Sequence, residues 1–549
     1  MIEINYINGN YVARANFEDK DKLKSNGFFW DRLIKKWYAP TAEVAYRLID
    51  HCLPETKKRI ISELGLNDYT FKKENIKWPK DKTPYAHQIA GAHFALTRRG
   101  SYLAFEAGTG KTATSIMCIN SKPGKTIIIC PAFLKYNWQN ELNAWLTHAA
   151  SIQIINSSKT EIDLKHDIFI LPTSLLHVSK VRGAFFTETD FKLKWLIIDE
   201  AHYFKSETAK RTISLLGGKT TDTHTSKNLV WKGFHKISEH VVNLSGTPMP
   251  NRPIELYPIV SKHAPHAIEF LSKHNYGLKY CNAHEGEWGW DYSGHSNLAE
   301  LNSKLTQNFM SVKKLEECVD LPDKLPNNLI FLNDPSPKIL KMESTLLGRV
   351  SITELVRLEA QRDDRMQGKI EMRGGMSAIS ENALSYMSEL RHLTGLKKVE
   401  QASQIILEMS ESSEHLLIFG WHNDVIEQVA ARLRKQLSVS VITGQTPHKT
   451  RQAIVDDFQT SKTQKVLVAN IQAAGVGITL TKAFRPVFIE PSWVPSDNDQ
   501  AISRVHRIGQ TKKVQATFLV WPNSIDHLIL NAHKDKSFII NEVIKSEPN

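Results

Sequence analysis

The stretch AGTGKT at residues 107–112 has the residue types of a phosphate-binding loop. It follows the apolar run YLAFE and opens a helix-type pattern, so its backbone N–H groups and a helix N-terminus can point at a phosphate. In such a loop the lysine reaches the terminal phosphates and the next hydroxyl binds magnesium. The strict pattern is not met, because Phe105 stands at the first glycine position. The expected nucleotide contacts are Ala107, Gly108, Thr109, Gly110, Lys111 and Thr112, with Thr112 also a magnesium ligand.

A second motif, LIIDEAH at residues 196–202, places two carboxylates directly after a buried apolar run. Asp199 can hold magnesium through water, and Glu200 can activate an attacking water. Adjacent acids at the end of a strand can also cap the following helix, so the motif alone leaves two interpretations open. Together with the upstream Lys111, it predicts hydrolysis of a bound nucleotide.

A third motif, YAHQIAG, lies upstream of the phosphate loop and contains Tyr85, His87 and Gln88. The Gln88 amide can read the edge of an adenine, and either ring can stack on the base. An ordinary helix start can carry the same residues. Beside the other two motifs, these side chains favour ATP as the nucleotide.

Two arginines of QAISRVHRIGQ at residues 500–510, Arg504 and Arg507, stand three positions apart. Guanidinium groups bind phosphate in a bidentate manner, yet no phosphate loop lies near them in the sequence. The same spacing also occurs on solvated helix faces. If these arginines bind a phosphate, the rest of its site must lie elsewhere in the chain.

Two series of short apolar runs supply the elements that position these motifs. Such runs are typical of parallel strands buried on both faces, with helices between them. They predict an α/β fold with two parallel-sheet lobes, at 76–262 and 401–535, separated by helical insertions and a connector at 263–400. A tail at 536–549 follows, and the polar segment 217–228 is predicted to be a surface loop. The runs are YLAFE, TIIIC, IFIL, WLIIDE and VVNLSG, then HLLIFG, VSVITG, KVLVAN, RPVFIE and ATFLVW.

Residues 1–75 are predicted to form a separate, small N-terminal α+β domain. The stretch FFWDRLIKKWYAP places aromatic residues around a charged turn, as a β-hairpin does. One interpretation is a small aromatic core with lysines solvated outside. Another is a basic and aromatic surface that stacks on bases and binds phosphates, and the two are compatible. The aromatic residues are Phe28, Phe29, Trp30, Trp37 and Tyr38.

Composition and charge are those of a folded, basic protein. Its 549 residues exceed what one hydrophobic core usually serves, and 41% of them are hydrophobic. The formal net charge of +12 favours a polyanionic partner, nucleic acid before a membrane. No apolar run approaches the roughly 20 residues of a membrane span and the N-terminus lacks a signal-peptide layout, so we expect the cytoplasm, or the nucleus of a eukaryotic cell. The five cysteines form no C-x-x-C pair, which argues against a zinc site.

In chain order, the motifs resemble those of SWI/SNF-type DNA translocases of helicase superfamily 2. The resemblance spans residues 84–525 and rests on FEAGTGKT, ICPAFLKYNWQNEL, DEAHYFK, LSGTPMPNRPIELY, AAGVGITLTKA and QAISRVHRIGQ. YGLKYCNAHEGEWGWDYSGHSNLAEL and SGTPMPNRPIELY are most similar to the annealing-helicase, HepA-related branch. The N-terminal hairpin more loosely resembles the HARP substrate-recognition domain of that branch. The resemblance implies that both parallel-sheet lobes are RecA-like.

The family pattern implies how residues of the two lobes cooperate. Arg504 and Arg507 would act as arginine fingers that reach the γ-phosphate held by Lys111, so hydrolysis would require the lobes to close. The other implied residues are Gln500 and Gly477 at the nucleotide, with Ser245, Thr247 and His202 coupling the nucleotide site to DNA.

The family pattern also implies a DNA track across both lobes, opposite the nucleotide. Small residues and hydroxyls let backbone amides approach phosphates, contacts that position a duplex without reading its sequence. The tryptophans among them can equally belong to the core. The family carries arginines where this chain has Lys313 and Lys314, which leaves open any regulatory contact there. The implied DNA contacts are Pro131, Lys135, Trp138, Thr173, Ser174, Thr443, Gly444, Gln472, Gly475, Thr479 and Trp493.

The resulting hypothesis is a monomeric, DNA-dependent ATPase that uses ATP and Mg²⁺ to translocate along double-stranded DNA and reanneal or remodel branched DNA. Single-strand-binding, replication or repair proteins are its candidate protein partners. An alternative within the same motor class is displacement of proteins, such as RNA polymerase or chromatin, from DNA. An alternative of another class is an ATP-gated DNA scaffold that does not translocate. The complete set of catalytic residues argues against the scaffold.

Overall fold

The computed structural model contains an N-terminal unit followed by two lobes, each built on its own sheet. The described residues are 2–7, 9–31, 35–64, 66, 70–187, 191–221, 228–286, 289–318, 321–333, 341, 378–411, 415–474, 478–522, 524–531 and 542–544.

The N-terminal unit is a four-stranded antiparallel sheet, in the order β1-β2-β4-β3, with three short helices. The predicted hairpin is confirmed, because Trp30 lies opposite Trp37 and their rings are 5.5 Å apart. Phe28 and Trp37 are buried, whereas Phe29 and Trp30 are about half exposed. The hairpin therefore provides both an aromatic core and an exposed aromatic strand. The elements are β1 Glu3–Ile7, β2 Asn10–Arg14, α1 Lys20–Ser25, β3 Phe29–Asp31, β4 Lys36–Ala39, α2 Ala42–Tyr46 and α3 Pro54–Glu63.

The first lobe is a seven-stranded parallel sheet in the order β15-β5-β12-β9-β6-β8-β7, covered by helices. Strands β5, β6 and β8 are buried along their whole length, which explains their continuous apolar runs in the sequence. The elements are α4 Ala86–Leu96, β5 Gly100–Phe105, α5 Lys111–Ser121, β6 Thr126–Cys130, α6 Lys135–Trp145, β7 Ile152–Ile154, β8 Ile168–Pro172, α7 Ser179–Phe186, β9 Leu193–Asp199, α8 Lys210–Leu216, β10 Gly217–Thr221, β11 Asn228–Lys232, β12 Ser238–Leu244, α9 Tyr257–His263, α10 Lys273–Tyr280, β13 His284–Gly286, β14 Gly289–Asp291, α11 Leu298–Asn308, β15 Met310–Lys313 and α12 Leu315–Cys318.

The second lobe is a six-stranded parallel sheet in the order β16-β21-β20-β17-β19-β18. All five apolar runs of the second series form strands in this sheet. The elements are β16 Asn328–Phe331, α13 Ala378–Glu411, β17 His415–Gly420, α14 Asn423–Leu433, β18 Val439–Ile442, α15 His448–Thr460, β19 Lys465–Asn470, α16 Ile471–Ala474, β20 Pro486–Phe488, α17 Pro495–Ile502 and β21 Thr517–Val520.

The segment predicted as a surface loop at 217–228 is instead part of a β-hairpin. β10 pairs with β11 in antiparallel register, from Gly217 opposite Lys232 to Thr221 opposite Asn228. Arg182 of α7 anchors the hairpin base, since its guanidinium lies over the Trp231 ring and donates to the Lys232 carbonyl. The prediction was wrong because threonine-rich polar sequence suits a solvated hairpin as well as a loop. The hairpin tip at 222–227 lies outside the described residues.

The segment at 263–400, predicted to consist of helical insertions and a connector, also contributes one strand to each sheet. Its strand β15 pairs with β5 of the first sheet, and β16 pairs with β21 of the second. α10 and α11 supply the helical insertions of its first part. Residues 342–377 of the predicted connector lie outside the described residues.

Part of the predicted C-terminal tail packs against the first lobe. Val543 is fully buried in the core of that lobe, and its carbonyl accepts a hydrogen bond of 2.7 Å from Asn302 Nδ2. The chain therefore returns to the first lobe after completing the second. Within the described ranges, no helix has the length and apolar character needed to cross a bilayer.

Candidate nucleotide and DNA site

The phosphate-loop motif connects the carboxyl end of β5 to the start of α5, as its sequence predicted. Gly108 and Gly110 have φ angles of +91° and +83°, in the left-handed region that favours glycine. A Cβ atom at Gly110 would lie 1.9 Å from Gln88 Nε2, so a larger residue does not fit there. α5 begins at Lys111, which leaves the first backbone N–H groups of an 11-residue helix at the end of the loop. The loop thus has the geometry of an anion site.

Lys111 lies inside this loop and donates to the loop's own carbonyls. Its Nζ is 2.7 Å from the Phe105 oxygen and 3.2 Å from the Glu106 oxygen. Burial lowers the pKa of Lys111, and the nearby carboxylates Glu200 and Asp199 oppose that shift. An ammonium held by two neutral carbonyls can exchange them for phosphate oxygens, which carry more charge.

The three upstream residues support the loop from α4. His87 Nε2 lies 2.8 Å from the Thr109 carbonyl oxygen, and Gln88 Nε2 donates to the same oxygen at 3.1 Å. Gln88 Oε1 accepts from the Tyr85 backbone N–H, so both polar atoms of the amide predicted to read adenine already have protein partners. The exposed Tyr85 ring stacks on His87 at 5.7 Å. This stack remains available to a base.

The two acids lie at the carboxyl end of β9, beside the phosphate loop. Asp199 is buried; its Oδ2 accepts from Trp138 Nε1 at 2.9 Å and its Oδ1 accepts from the Glu200 N–H at 3.0 Å. Glu200 has φ +50°, a strained conformation for a residue other than glycine. Burial raises the pKa of both carboxyls, and Lys111 opposes the shift in each. The structure thus places both acids together at the end of β9.

The three residues predicted to couple the sites form one polar chain that crosses to the second lobe. His202 Nδ1 lies 3.2 Å from Glu200 Oε2 and 2.8 Å from Ser245 Oγ. Ser245 Oγ accepts from the Thr247 N–H at 3.0 Å. Thr247 Oγ1 then accepts from Gln500 Nε2 of α17 at 3.2 Å. Burial and the cations Lys205 and Arg211 lower the pKa of His202 to about 3, so this imidazole is neutral at physiological pH.

The two arginines of the second lobe reach the first. Arg504 is buried, and its pKa is lowered to about 10 by burial and by Arg507, while Glu200 opposes the shift. A Cβ atom at Gly108 would lie 3.0 Å from Arg507 Cγ, so the Arg507 side chain packs directly on the phosphate loop. Arg507 Nη1 also donates to Thr479 Oγ1 at 3.2 Å. Arg507 therefore packs on the phosphate loop, and Arg504 lines the same cavity as Lys111.

A cavity of about 440 Å³ lies between the lobes at this point. Lys111, Glu200 and Thr247 line it from the first lobe, and Gln500 and Arg504 line it from the second. Its walls thus carry both signs of charge, drawn from both lobes. Further lining residues are Glu106, Lys313, Lys314, Lys324, Asp499, His506 and Ile544.

A magnesium nucleotide fits this set of side chains. Glu200 Oε2 is buried without a well-aligned donor, although His202 Nδ1 lies within 3.2 Å. In the described part of the chain, no cluster of three or more His, Cys, Asp or Glu residues could hold a metal by itself. Magnesium typically takes one or two protein carboxylates and completes its shell with phosphate oxygens and water. Asp199 and the hydroxyl of Thr112, at the start of α5, suit that arrangement.

The residues predicted to contact DNA lie where parallel strands end. Pro131 follows β6, Thr173 and Ser174 follow β8, and Thr443 and Gly444 follow β18. Parallel strands end at one edge of a sheet, so these residues share an edge with the catalytic motifs of their own lobe. Ser174 and Gly444 are exposed, as is Gln472 after β19. Lys135 begins α6, and its Nζ donates to Asn156 Oδ1 at 2.7 Å.

Three of the predicted DNA contacts are placed differently by the structure. Trp138 and Trp493 are 2% and 5% exposed, so both tryptophans are core residues and their burial argues against direct contact with DNA. Their identification with the track was wrong because large aromatic residues usually pack inside. The hydroxyl of Thr479 is engaged by Arg507. Two further predicted site residues lie outside the described residues: Gly475, a predicted DNA contact, and Gly477, a predicted nucleotide contact.

Comparison with protein-family models gives two consecutive matches. The SNF2-related domain matches residues 72–324, and the helicase conserved C-terminal domain matches residues 397–509. Together the two matches cover about two thirds of the chain, including both halves of the cavity. The chain belongs to the SWI/SNF-type family of helicase superfamily 2. The family prediction from the motifs is confirmed.

The curated relatives of this SWI/SNF-type chain include one that is named as a DNA annealing helicase. The Xenopus laevis SWI/SNF-related matrix-associated actin-dependent regulator of chromatin subfamily A-like protein 1 is 28% identical over 90% of this chain and 47% of its own length. The mouse DNA annealing helicase and endonuclease ZRANB3 is 29% identical over 80% of this chain and 39% of its own length. The chain thus spans about half the length, or less, of these relatives.

A solved structure of the Sulfolobus solfataricus SWI2/SNF2 ATPase core in complex with dsDNA matches at 19% identity. The match covers 87% of this chain and 99% of that one, with a TM-score of 0.37. A score this low supports no argument about the arrangement of the present lobes.

Sequence reasoning assigned one residue of this SWI/SNF-type site to another role and did not name two others. Trp138 was recognised but assigned to DNA, although its indole binds Asp199. Asp499 lines the cavity and stands next to Gln500 in a recognised motif, so its position was a usable signal. Ile544 also lines the cavity but follows the second lobe by a long stretch of chain. Nothing in the local sequence around Ile544 indicates that placement.

Proposed function

We propose that this chain is an ATP-dependent double-stranded DNA translocase that reanneals or remodels branched DNA such as forks. The observation that carries the proposal is the composite cavity between the lobes. Lys111 and Glu200 line it from the first lobe, while Gln500 and Arg504 line it from the second. A pocket of this kind couples turnover to the relative position of the lobes, which is what a motor requires.

The first lobe would bind and orient the nucleotide. Backbone N–H groups of the loop at 107–112 and the ammonium of Lys111 would hold the phosphates. Tyr85 and His87 would carry the base on their stacked rings. Thr112 and Asp199 would hold Mg²⁺, which supplies neutralisation of phosphate charge when it is bound. These roles use groups that already lie together at the ends of β5 and β9.

Glu200 would accept the proton of the attacking water. Its pKa is raised by burial, which increases its strength as a base once it is ionised. His202 is neutral, so it can hold the hydroxyl of Ser245 without adding a positive charge that would weaken this base. Arg504 and Arg507 would stabilise the negative charge that develops on the transferred phosphoryl group.

The polar chain from Glu200 to Gln500 would report nucleotide state to the second lobe. Its last link joins Thr247 of the first lobe to Gln500 of the second. Opening of the lobes breaks that link and withdraws Arg504 from the cavity. Alternation between the two states would move the lobes along a duplex bound at their exposed strand ends.

The action on branched DNA rests on two supports. Relatives of this chain are named as annealing helicases. The N-terminal unit also presents Phe29 and Trp30 on an exposed strand, and exposed aromatic rings bind unpaired bases by stacking. A fork offers unpaired bases next to duplex, whereas a linear duplex does not.

The test of the catalytic assignment is DNA-stimulated phosphate release. Lys111→Ala and Glu200→Gln should each abolish it, because the first removes phosphate binding and the second removes the base. Lys82→Ala, at a partly exposed lysine upstream of the site, is the matched control for a lost positive charge. Equal thermal melting of all three variants would show that the fold is intact. Retained turnover in both site variants would refute the assignment.

Triplex displacement distinguishes a motor from its alternatives. A translocase strips a third strand from duplex DNA in an ATP-dependent manner, whereas a non-translocating scaffold leaves it bound. The same assay with a bound protein roadblock, such as a stalled RNA polymerase, tests displacement of proteins. Faster turnover on forks than on linear duplex of equal length supports the remodelling role, and equal turnover contradicts it.

A further inference from the structure

Trp138 has an unusual position for a buried tryptophan, because its polar edge meets the catalytic acids. Its side chain is 2% exposed, and Nε1 donates to Asp199 Oδ2 at 2.9 Å. The other oxygen of that carboxylate, Oδ1, accepts from the Glu200 N–H at 3.0 Å. Two donors therefore act on opposite oxygens of Asp199, which fixes the plane of its carboxylate.

Fixing the carboxylate matters for a residue expected to bind a cation. Each carboxylate oxygen has two lone pairs, so one hydrogen bond to each oxygen still leaves lone pairs for an ion. Hydrogen-bond partners behind metal ligands orient those ligands, and losing such a partner commonly lowers metal affinity or activity by about 10–100-fold. The indole is rigid and packed in the core, so it holds its donor atom at a constant distance.

We propose that Trp138 is a positioning residue that orients Asp199 for magnesium, and that through α6 it links the Pro131–Lys135 turn to this acid. The inference rests on the proposed function, since it takes Asp199 as a ligand of magnesium and the turn as part of the DNA surface.

The helix α6 provides the physical link. Lys135 is its first residue and Trp138 follows three positions later, so the two lie on neighbouring positions of one helix face. Lys135 Nζ donates to Asn156 Oδ1, a neutral partner that a DNA phosphate would outcompete. A helix transmits displacement along its axis as a rigid body. A duplex that draws Lys135 toward itself would therefore also shift the indole that holds Asp199.

The first test compares Trp138→Phe with Trp195→Phe. Trp195 is also fully buried in the same core, and its indole donates to the Lys122 carbonyl at 2.8 Å, away from the acids. Each variant thus loses one indole hydrogen bond and the same volume. The measurement is binding of a fluorescent ADP analogue, titrated with and without Mg²⁺.

Trp138→Phe should weaken the Mg²⁺-dependent binding by about 10-fold or more and leave binding without Mg²⁺ unchanged. Trp195→Phe should behave like the unmodified protein in both titrations. Equal Mg²⁺ dependence in the two variants would overturn the inference. If Trp138→Phe does not fold, hydrogen exchange in the unmodified protein provides an independent test. Addition of Mg·ADP should slow hydrogen exchange across residues 135–145, and an unchanged exchange rate there would also overturn the inference.

The second test concerns the link to DNA. The ratio of phosphate release with and without duplex should fall several-fold in Trp138→Phe and stay unchanged in Trp195→Phe. If the unmodified protein hydrolyses ATP in response to duplex but the two variants behave alike, the inference fails and the proposed function stands. If the unmodified protein does not hydrolyse ATP at all, the proposed function itself fails.

Discussion

The hydrogen bond between Thr247 and Gln500 offers a quantitative test of lobe closure. Gln500 Nε2 donates to Thr247 Oγ1 at 3.2 Å across the cleft, in a partly buried environment. Thr247→Val removes the acceptor at nearly constant volume, and Gln500→Met removes the donor while keeping an unbranched side chain. Gln500 also lines the nucleotide cavity, so the coupling between the two substitutions, and not the Gln500 effect alone, reports on the contact between lobes.

The geometry sets the expected magnitude. A hydrogen bond between neutral groups contributes about 0.5–1.5 kcal/mol, and 3.2 Å is at the long end of its range, so we take about 1 kcal/mol. That energy corresponds to a factor of about five in the closed population. Each single variant should therefore lose about fivefold in kcat/KM for duplex-stimulated ATP hydrolysis.

The double variant decides the question. If the two groups act through one hydrogen bond, the double variant should lose about fivefold, with a coupling energy of about 1 kcal/mol. Independent effects would multiply to about 25-fold, and that result would refute the reasoning. Thr247→Val combined with Gln515→Met is the control cycle, because Gln515 is a partly buried residue of the second lobe that donates to the Pro326 carbonyl, away from the cleft contact. In this control cycle the effects of the two substitutions on kcat/KM should multiply.

Three further predictions follow from other contacts. Lys135→Ala should reduce the slope of log affinity for duplex against log salt by about one, as measured by fluorescence anisotropy, and an unchanged slope would remove Lys135 from the DNA surface. Trp30→Ala should weaken binding to forks by about 1–3 kcal/mol without affecting linear duplex, while an equal loss on both would contradict base stacking. Lys398→Met should lower the free energy of unfolding by about 3–5 kcal/mol, because it leaves the carboxylate of Asp526 buried without its 2.6 Å partner. Adding Asp526→Leu should restore most of that loss in a thermal melt, and a further loss would contradict the ion-pair argument.

Much of the fold could be predicted because its signals are local. Each of the ten apolar runs recognised in the sequence forms a strand, since burial on both faces of a parallel sheet demands continuous apolar residues. The glycines of the phosphate loop could be assigned because their positive φ angles disfavour other residues. The hairpin at 217–232 could not be predicted from the sequence. Its polar, threonine-rich residues show no hydrophobic alternation that would distinguish a solvated strand from a loop.

The site was predictable only in its parts. The motifs named Lys111, Glu200 and Arg504 by residue type, but no pattern around Trp138 distinguishes a tryptophan that binds Asp199 from one that faces DNA. Its apolar ring satisfies the same periodicity in either case. The packing of α6 against β8 and α5 decides which polar group the indole meets.

By itself, the sequence determined the order of strands and helices, the backbone conformation of the phosphate loop and the presence of every chemical group that the site uses. Only the tertiary structure decided which distant groups meet: Arg507 on Gly108, Gln500 on Thr247, and Val543 in the core of the first lobe. The physical reason is that local patterns encode burial and backbone preference, which depend on near neighbours. Contacts between lobes depend on how two separately folded cores pack together, and no short stretch of sequence contains that information.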